Sequence, residues 1–200
     1  RAFRKEFGTS AGEYKRSPSP ICYFIPYRLK YRDSRLKEEK KMAETRNIFV
    51  TRITKPKRKV MIKRGVKGEE YWDYSMEVGC DVWGILKSIT PEPVCMWLPD
   101  KYRKPGTSKY VQGVELPFDW NGKVMDGFEV VDMEESDYLM FQGEAFEEEY
   151  YEEAIKEVER AMEKYDPSLI GARWNEDEPR IQLEPRGERG YIEYKAIKKA

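Results

Sequence analysis

The chain has 200 residues, enough for one core of ordinary size or one domain with an attached segment. It is 37% charged and 40% hydrophobic with a formal net charge of zero, and its 5 Trp and 14 Tyr exclude a disordered polar tract. No apolar run approaches the ~18 residues that a membrane-spanning helix needs.

Two scarcities narrow the chemistry. There is no His, which removes the commonest general base, the commonest metal ligand and every Ser-His or Cys-His nucleophile pair. The Cys residues, at 22, 80 and 95, form no CxxC pair. Their odd number and wide spacing argue against a disulfide framework or a zinc site and predict a reducing, cytoplasmic setting. No metal, cofactor or catalytic residue is therefore expected. The zero net charge conceals an asymmetry: residues 1–68 hold 21 Lys and Arg against 6 Asp and Glu, whereas 69–200 hold 16 against 31. A basic front and an acidic back suggest two different tasks, the front one facing nucleic acid.

In chain order, Phe3 and Phe7 lie one helical turn apart. Gly8 can stop that helix and Ser10 can cap a second one carrying Glu13 and Tyr14. The sequence SPSP at 17–20 breaks any helix, and 17–45 reads as a linker ending in a charge-dense stretch. The basic run 55–59 reads as an exposed turn before a strand. The acidic run 144–153 reads as the solvated start of a helix, where carboxylates favour the positive end of the helix dipole.

From 46 onward a β-α-β-β pattern occurs twice, in 46–117 and 127–200. Strand-like runs 59–65 and 137–143 are each followed by a helix. In the first helix Trp72, Met76, Gly79, Trp83 and Leu86 make a stripe at spacings of 4, 3, 4 and 3. In the second, Tyr151, Ile155, Val158, Met162 and Tyr165 repeat it. Short Pro-bracketed strands follow at 92–99 and 178–185, then strands at 110–116 and 191–197. The turn-rich segment 117–127 joins the copies.

The expected fold is α+β: a duplicated β-α-β-β unit with pseudo-twofold symmetry. Two helices cover one face of an antiparallel sheet, and a concave ligand groove lies on the other. Alternation along the last strand gives two sets of side chains. Ile192, Tyr194 and Ala196 are expected under the helices, directing Tyr191 and Glu193 into the groove. By the repeat, Tyr110 and Gln112 face them, with Leu139, Phe141 and Met61 alongside. At 94–98 two readings stand: Cys95 and Trp97 face the helices, or Trp97 faces the groove. A carboxylate among aromatic and Met side chains suits a lipophilic organic cation, because a buried unpaired Glu is costly and ring faces attract cations. Against this, Glu193 can pair with Lys195 or Lys63.

Residues 3–16 resemble the end of the second helix-turn-helix of AraC-type bacterial transcription regulators. They keep Phe3, Phe7, Gly8, Ser10 and Tyr14, with Ala11 where Pro and Lys15 where Arg are usual. Residues 46–199 resemble the gyrase-inhibitor-like effector-binding domain that often follows it, through the doubled unit and closing strand. The resemblance implies 1–16 as the tail of a DNA-binding domain, 17–45 as a linker and 46–200 as an effector-binding domain. It further implies a groove for small organic molecules with Glu193 as the ligand-contacting acid on the last strand; a one-residue shift in the match places Ile192 there. The implied partners are a small-molecule effector and DNA, reached through helices upstream of Arg1, with no membrane; pairing of two copies is compatible with it. Three other activities go with the same superfamily or fold: hydrolysis of reactive small molecules with Glu193 as base and Tyr110 or Tyr191 as acid, haem carriage as in the SOUL proteins, and inhibition of a partner such as gyrase.

Overall fold

The structure, a computed structural model, describes residues 47–200. The expected helix-turn-helix tail at 1–16 and the linker at 17–45 lie outside the described residues. From Asn47 the chain builds nine strands and three α-helices. The order is β1 (Ile48–Lys55), β2 (Arg58–Arg64), α1 (Tyr71–Val78), α2 (Asp81–Ile89), β3 (Val94–Trp97), β4 (Tyr110–Pro117) and β5 (Glu129–Met133). Then come β6 (Ser136–Gly143), α3 (Tyr151–Lys164), β7 (Ala172–Trp174), β8 (Arg180–Leu183) and β9 (Ile192–Lys199). All strands pair antiparallel in the order β1-β6-β9-β8-β3-β4-β2-β5, with β7 also pairing β9. The architecture is α+β, as the sequence pattern predicts.

The first helical segment departs from expectation. The sequence predicts one helix with a stripe through Trp72, Met76, Gly79, Trp83 and Leu86. The chain instead breaks at Gly79, whose φ of +103° lies outside helical geometry, and restarts as α2. Trp83 and Leu86 are buried as expected, whereas Met76 is turned out to 80% exposure. Glu77 anchors α1 from the adjoining position, accepting the backbone N–H groups of Val66, Lys67 (2.9 Å) and Gly68 (3.0 Å). The second helix follows its pattern: Val158 and Met162 are buried, and Tyr151, Ile155 and Tyr165 pack beside them.

The two faces of the sheet are assigned by what packs on them. Directly paired residues share a face, and Gln112, Cys95, Gln182, Glu193 and Phe141 stand in one row across five strands. Cys95 packs in the cluster containing Tyr74, Val82, Trp83 and Leu86 of α1 and α2; Phe141 packs in the cluster containing Ala154, Val158 and Met162 of α3. Both helical units therefore cover the same face. Tyr191, Leu139 and Phe141 lie under α3, while Ile192 and Ala196 face away from the helices. The expected parity of the last strand is thus reversed.

The expected groove on the helix-free face is filled. Val60, Ile62, Met96, Val111, Met133, Tyr138 and Ile181 make one buried cluster there with Ile192 and Ala196. The cause is visible in the connectivity. β1 is outermost at one end of the sheet and β2 is next to outermost at the other, yet only Pro56 and Lys57 join them. A connection that short spans roughly 10 Å, so the sheet must curl until its ends meet. Arg58 on β2 lies 6.0 Å from the ring of Tyr138 on β6, and Lys55 and Arg58 both bind Glu115 of β4 at 2.7 Å. Closure of the sheet leaves the helix-covered face as the side where a cleft can form. Of the basic run 55–59, expected to be an exposed turn, Pro56 and Lys57 do turn at the surface, but Arg58 is buried. Cys80 is disulfide-bonded, against the expectation from cysteine spacing, while Cys95 is a buried free thiol.

Candidate functional site

A cleft of about 240 Å³ opens on the helix-covered face, between α1 and α2 on one side and the start of α3 on the other. Its floor is Cys95 of β3 and Gln182 of β8, register partners where those two strands meet. One wall is aromatic: Tyr71, Trp72 and Trp83, with Tyr71 edge-on to Trp72 at 5.2 Å and to Trp83 at 6.5 Å. Phe146, Tyr151 and Ile155 form the opposite wall. The carboxylate of Glu184 stands at the edge, where it accepts the Trp83 indole N–H (3.4 Å) and pairs with Lys87 (2.7 Å) and Arg186 (3.4 Å). Apolar and aromatic walls with polar groups at a few points are the lining that binding sites for small organic molecules share.

Burial favours the neutral form of the titratable thiol and phenols in and beneath the cleft. Burial pushes the Cys95 thiol up to about 12, against a smaller opposing contribution from the Tyr110 hydroxyl. Burial likewise raises Tyr71, Tyr74 and Tyr110 above the ordinary tyrosine range. A thiol and phenols this strongly protonated are hydrogen-bonding and packing groups, not nucleophiles.

None of the eight residues expected from sequence lines this cleft. The structure places all eight on the same sheet face, around and beneath it. Met61 and Tyr110 are core residues under α1 and α2, and Leu139, Phe141 and Tyr191 are core residues under α3. Gln112 is buried, with its backbone N–H 3.4 Å from the Tyr74 hydroxyl. Trp97 packs edge-on against Tyr110 at 5.1 Å, so the first alternative for β3, with Cys95 and Trp97 facing the helices, describes it. Glu193 has no exposed side-chain surface. It is paired, but neither with Lys195 nor with Lys63: its partners are the guanidinium of Arg180 and the hydroxyl of Tyr191, which donates at 3.0 Å. Burial raises Tyr191 far above its ordinary value, so that hydroxyl is a proton donor.

Sequence reasoning missed Arg180, Gln182 and Glu184, and it read Trp72 and Trp83 as core. A usable signal existed in β8, where Arg180 and Gln182 alternate with Ile181 and Leu183. Polar residues on one face of a strand flanked on both sides mark a polar site rather than a solvated edge. The acidic run 144–153 does start a helix, as expected, and among the described residues no group of Cys, Asp or Glu is arranged to hold a metal ion. No described helix is long and apolar enough to cross a membrane.

No family model matches the chain, and no curated protein matches it. Among solved structures, the integron cassette protein VCH_CASS2 from the mobile metagenome of Vibrio cholerae is 8% identical; the match covers 76% of this chain and 99% of that one with a TM-score of 0.44. EcmrR, seen in a DNA complex by cryo-electron microscopy, is 13% identical over 100% of this chain and 81% of its own, with a TM-score of 0.47. SAV2435, bound to tetraphenylphosphonium, is 10% identical over 76% of this chain and 94% of its own, with a TM-score of 0.45.

Proposed function

We propose that residues 46–200 form an effector-binding domain that takes a small aromatic organic molecule in the cleft between α1, α2 and α3. The observation that carries this reading is the cleft itself: Tyr71, Trp72, Trp83, Phe146 and Tyr151 around a floor of Cys95 and Gln182. Rings of this kind bind apolar and cationic guests alike, so a lipophilic cation belongs to the class. In the same reading the chain is the sensor part of an AraC-type transcription regulator. That rests on the resemblance of residues 3–16 to a helix-turn-helix end and brings DNA as the second partner. The duplicated β-α-β-β unit is part of it as well: strands β6-β9-β8 and β2-β4-β3 follow the same order outward-to-centre, which supports the repeat. A hydrolase reading, with Glu193 activating water, is weaker because Glu193 is engaged by Arg180 and Tyr191 and does not reach the cleft.

The test is calorimetric titration of trimethylphenylammonium and of its uncharged isostere tert-butylbenzene into the wild type, Trp72→Ala and Tyr151→Ala. Saturable binding of at least one probe, weakened about tenfold or more in both variants, is expected. Binding that is indifferent to both substitutions moves the site elsewhere. For the regulator role, operator affinity of the full-length protein should change about 5- to 150-fold with bound effector; no change for any cleft ligand removes that role.

A further inference from the structure

Beside the cleft lies a second constellation built for a cation and already holding one. The Arg180 guanidinium forms an ion pair with Glu193, donates to Glu159 of α3 at 3.0 Å, and lies 4.6 Å from the centre of the Trp97 ring. Tyr191 closes the arrangement by donating to the second Glu193 oxygen at 3.0 Å. Two carboxylates and one aromatic face thus surround a single positive charge, and a phenol is bonded to one of those carboxylates. The pieces come from separate elements: Trp97 from β3, Arg180 from β8, Glu193 from β9 and Glu159 from α3. The constellation adjoins the cleft along two elements at once. Arg180 is two residues from the floor residue Gln182 on the same strand face, and Glu159 is one turn beyond the wall residue Ile155 on α3. Burial is uneven: Glu193 is completely covered, while the Arg180 side chain keeps 32% of its surface. The arginine is therefore the removable part and the carboxylate the fixed part.

We infer that Arg180 is an internal competitor for cationic ligands, occupying a cation cage made by Glu193, Glu159 and Trp97, and that it sets the charge selectivity of the adjoining cleft. While Arg180 is in place, an external cation reaches Glu193 only by displacing a guanidinium that already has two carboxylates and a ring face. Neutral ligands do not face this competition. Without Arg180, the cage is a buried carboxylate with an opening the width of an arginine side chain, and a small cation enters it.

The inference deepens the cleft reading, and its first test is independent of that reading. Arg180→Ala is examined by thermal denaturation in millimolar methylguanidinium, and separately in methylurea, which has the same planar shape and no charge. Methylguanidinium is expected to raise the Tm of the variant by several degrees in a saturable manner, methylurea to leave it unchanged, and neither to stabilise the wild type. In Arg180→Ala/Glu193→Gln the effect should vanish. Arg180→Met, which keeps an apolar stem against Trp97, serves if the alanine variant does not fold in buffer. Folding of either variant only in methylguanidinium supports the cage. Failure of both to fold at every additive concentration overturns it, as does equal stabilisation by methylurea or a matching effect in the wild type. The second test uses the cleft probes: trimethylphenylammonium should bind Arg180→Met about tenfold tighter than wild type, with tert-butylbenzene unchanged. If neither probe binds any form while methylguanidinium still rescues, the cleft reading fails and the cage stands. If both bind but the cation gains nothing from loss of Arg180, the claim that Arg180 sets the charge selectivity of the cleft is overturned and the cleft reading stands.

Discussion

Replacing Glu115 by Gln tests why the helix-free face is closed. Glu115 accepts from Lys55 and from Arg58, each at 2.7 Å, and so ties the end of β1 and the start of β2 to β4. Arg58 is only 5% exposed. Removing the carboxylate leaves that guanidinium buried without a counter-charge, a loss of roughly 3–5 kcal/mol for a fully buried pair. The Glu115 side chain retains 25% of its exposure, which lowers the expected cost to about 2–3 kcal/mol. Lys55→Met removes the other partner but leaves the Arg58–Glu115 pair intact, and should cost below about 1 kcal/mol. Urea unfolding followed by Trp fluorescence reads both. With a slope of ~2 kcal/mol per molar urea, Glu115→Gln should lower the midpoint by about 1 M without changing the slope.

The pH dependence has a defined sign. Burial alone would push the Glu115 carboxyl up, but Lys55 and Arg58 outweigh it and hold the group below the usual carboxylate range. A depressed folded-state value means that its stabilisation is complete above the unfolded-state value, about 4.3. It is lost as pH falls through the folded-state value. The gap between wild type and Glu115→Gln should therefore be widest near neutrality and narrow in acid below about pH 4. Equal stability of the two at pH 7, or a cost for Lys55→Met as large as for Glu115→Gln, would refute the closure argument.

Three further outcomes are expected. Leu86→Ala, at a side chain with no exposed surface in the core between α2 and the sheet, should cost about 2–5 kcal/mol in urea unfolding; a cost under about 1 kcal/mol would mean that α2 does not rest there. Glu77→Gln weakens acceptance from three consecutive backbone N–H groups at 66–68. It should speed amide hydrogen exchange in that loop and across α1 while leaving α3 unchanged, and a uniform change would show that Glu77 is not a local anchor. Cys95, with its thiol pushed up to about 12 by burial, should resist iodoacetamide at pH 8 in the folded protein and react in urea, as read by peptide mapping. Rapid labelling of Cys95 without denaturant would show that the cleft floor is open and the thiol activated.

Much of the secondary structure is legible in the sequence because its periodicities are undisturbed. Ile155, Val158 and Met162 fall at helical spacing with no Gly between them, and α3 buries that stripe. The same reasoning fails across Gly79, where a positive φ resets the helix and sends Met76 outward. Along β9 and the residue before it, the faces carrying Ile192, Tyr194 and Ala196 and carrying Tyr191, Glu193 and Ile197 both hold apolar residues. In a curled sheet both faces are interior, so alternation no longer separates inside from outside. That is why all eight expected residues share one face while the groove was expected on the wrong side. Glu193 was recognisable as a buried acid among aromatic residues. Its pairing with Arg180 was not, because the two meet through the pairing of β8 with β9, which the alternation within either strand does not encode.

The Ile48–Lys55 segment belongs to one border of the sheet by pairing and to the opposite border by covalent linkage. Eight consecutive residue partners fasten it to Ser136–Gly143, and two residues later the chain is already part of the far strands. Sliding it by a single position would invert every inward-facing side chain along its length. Traction arriving at Asn47 is therefore delivered to both flanks of the domain together, like tension on a drawstring.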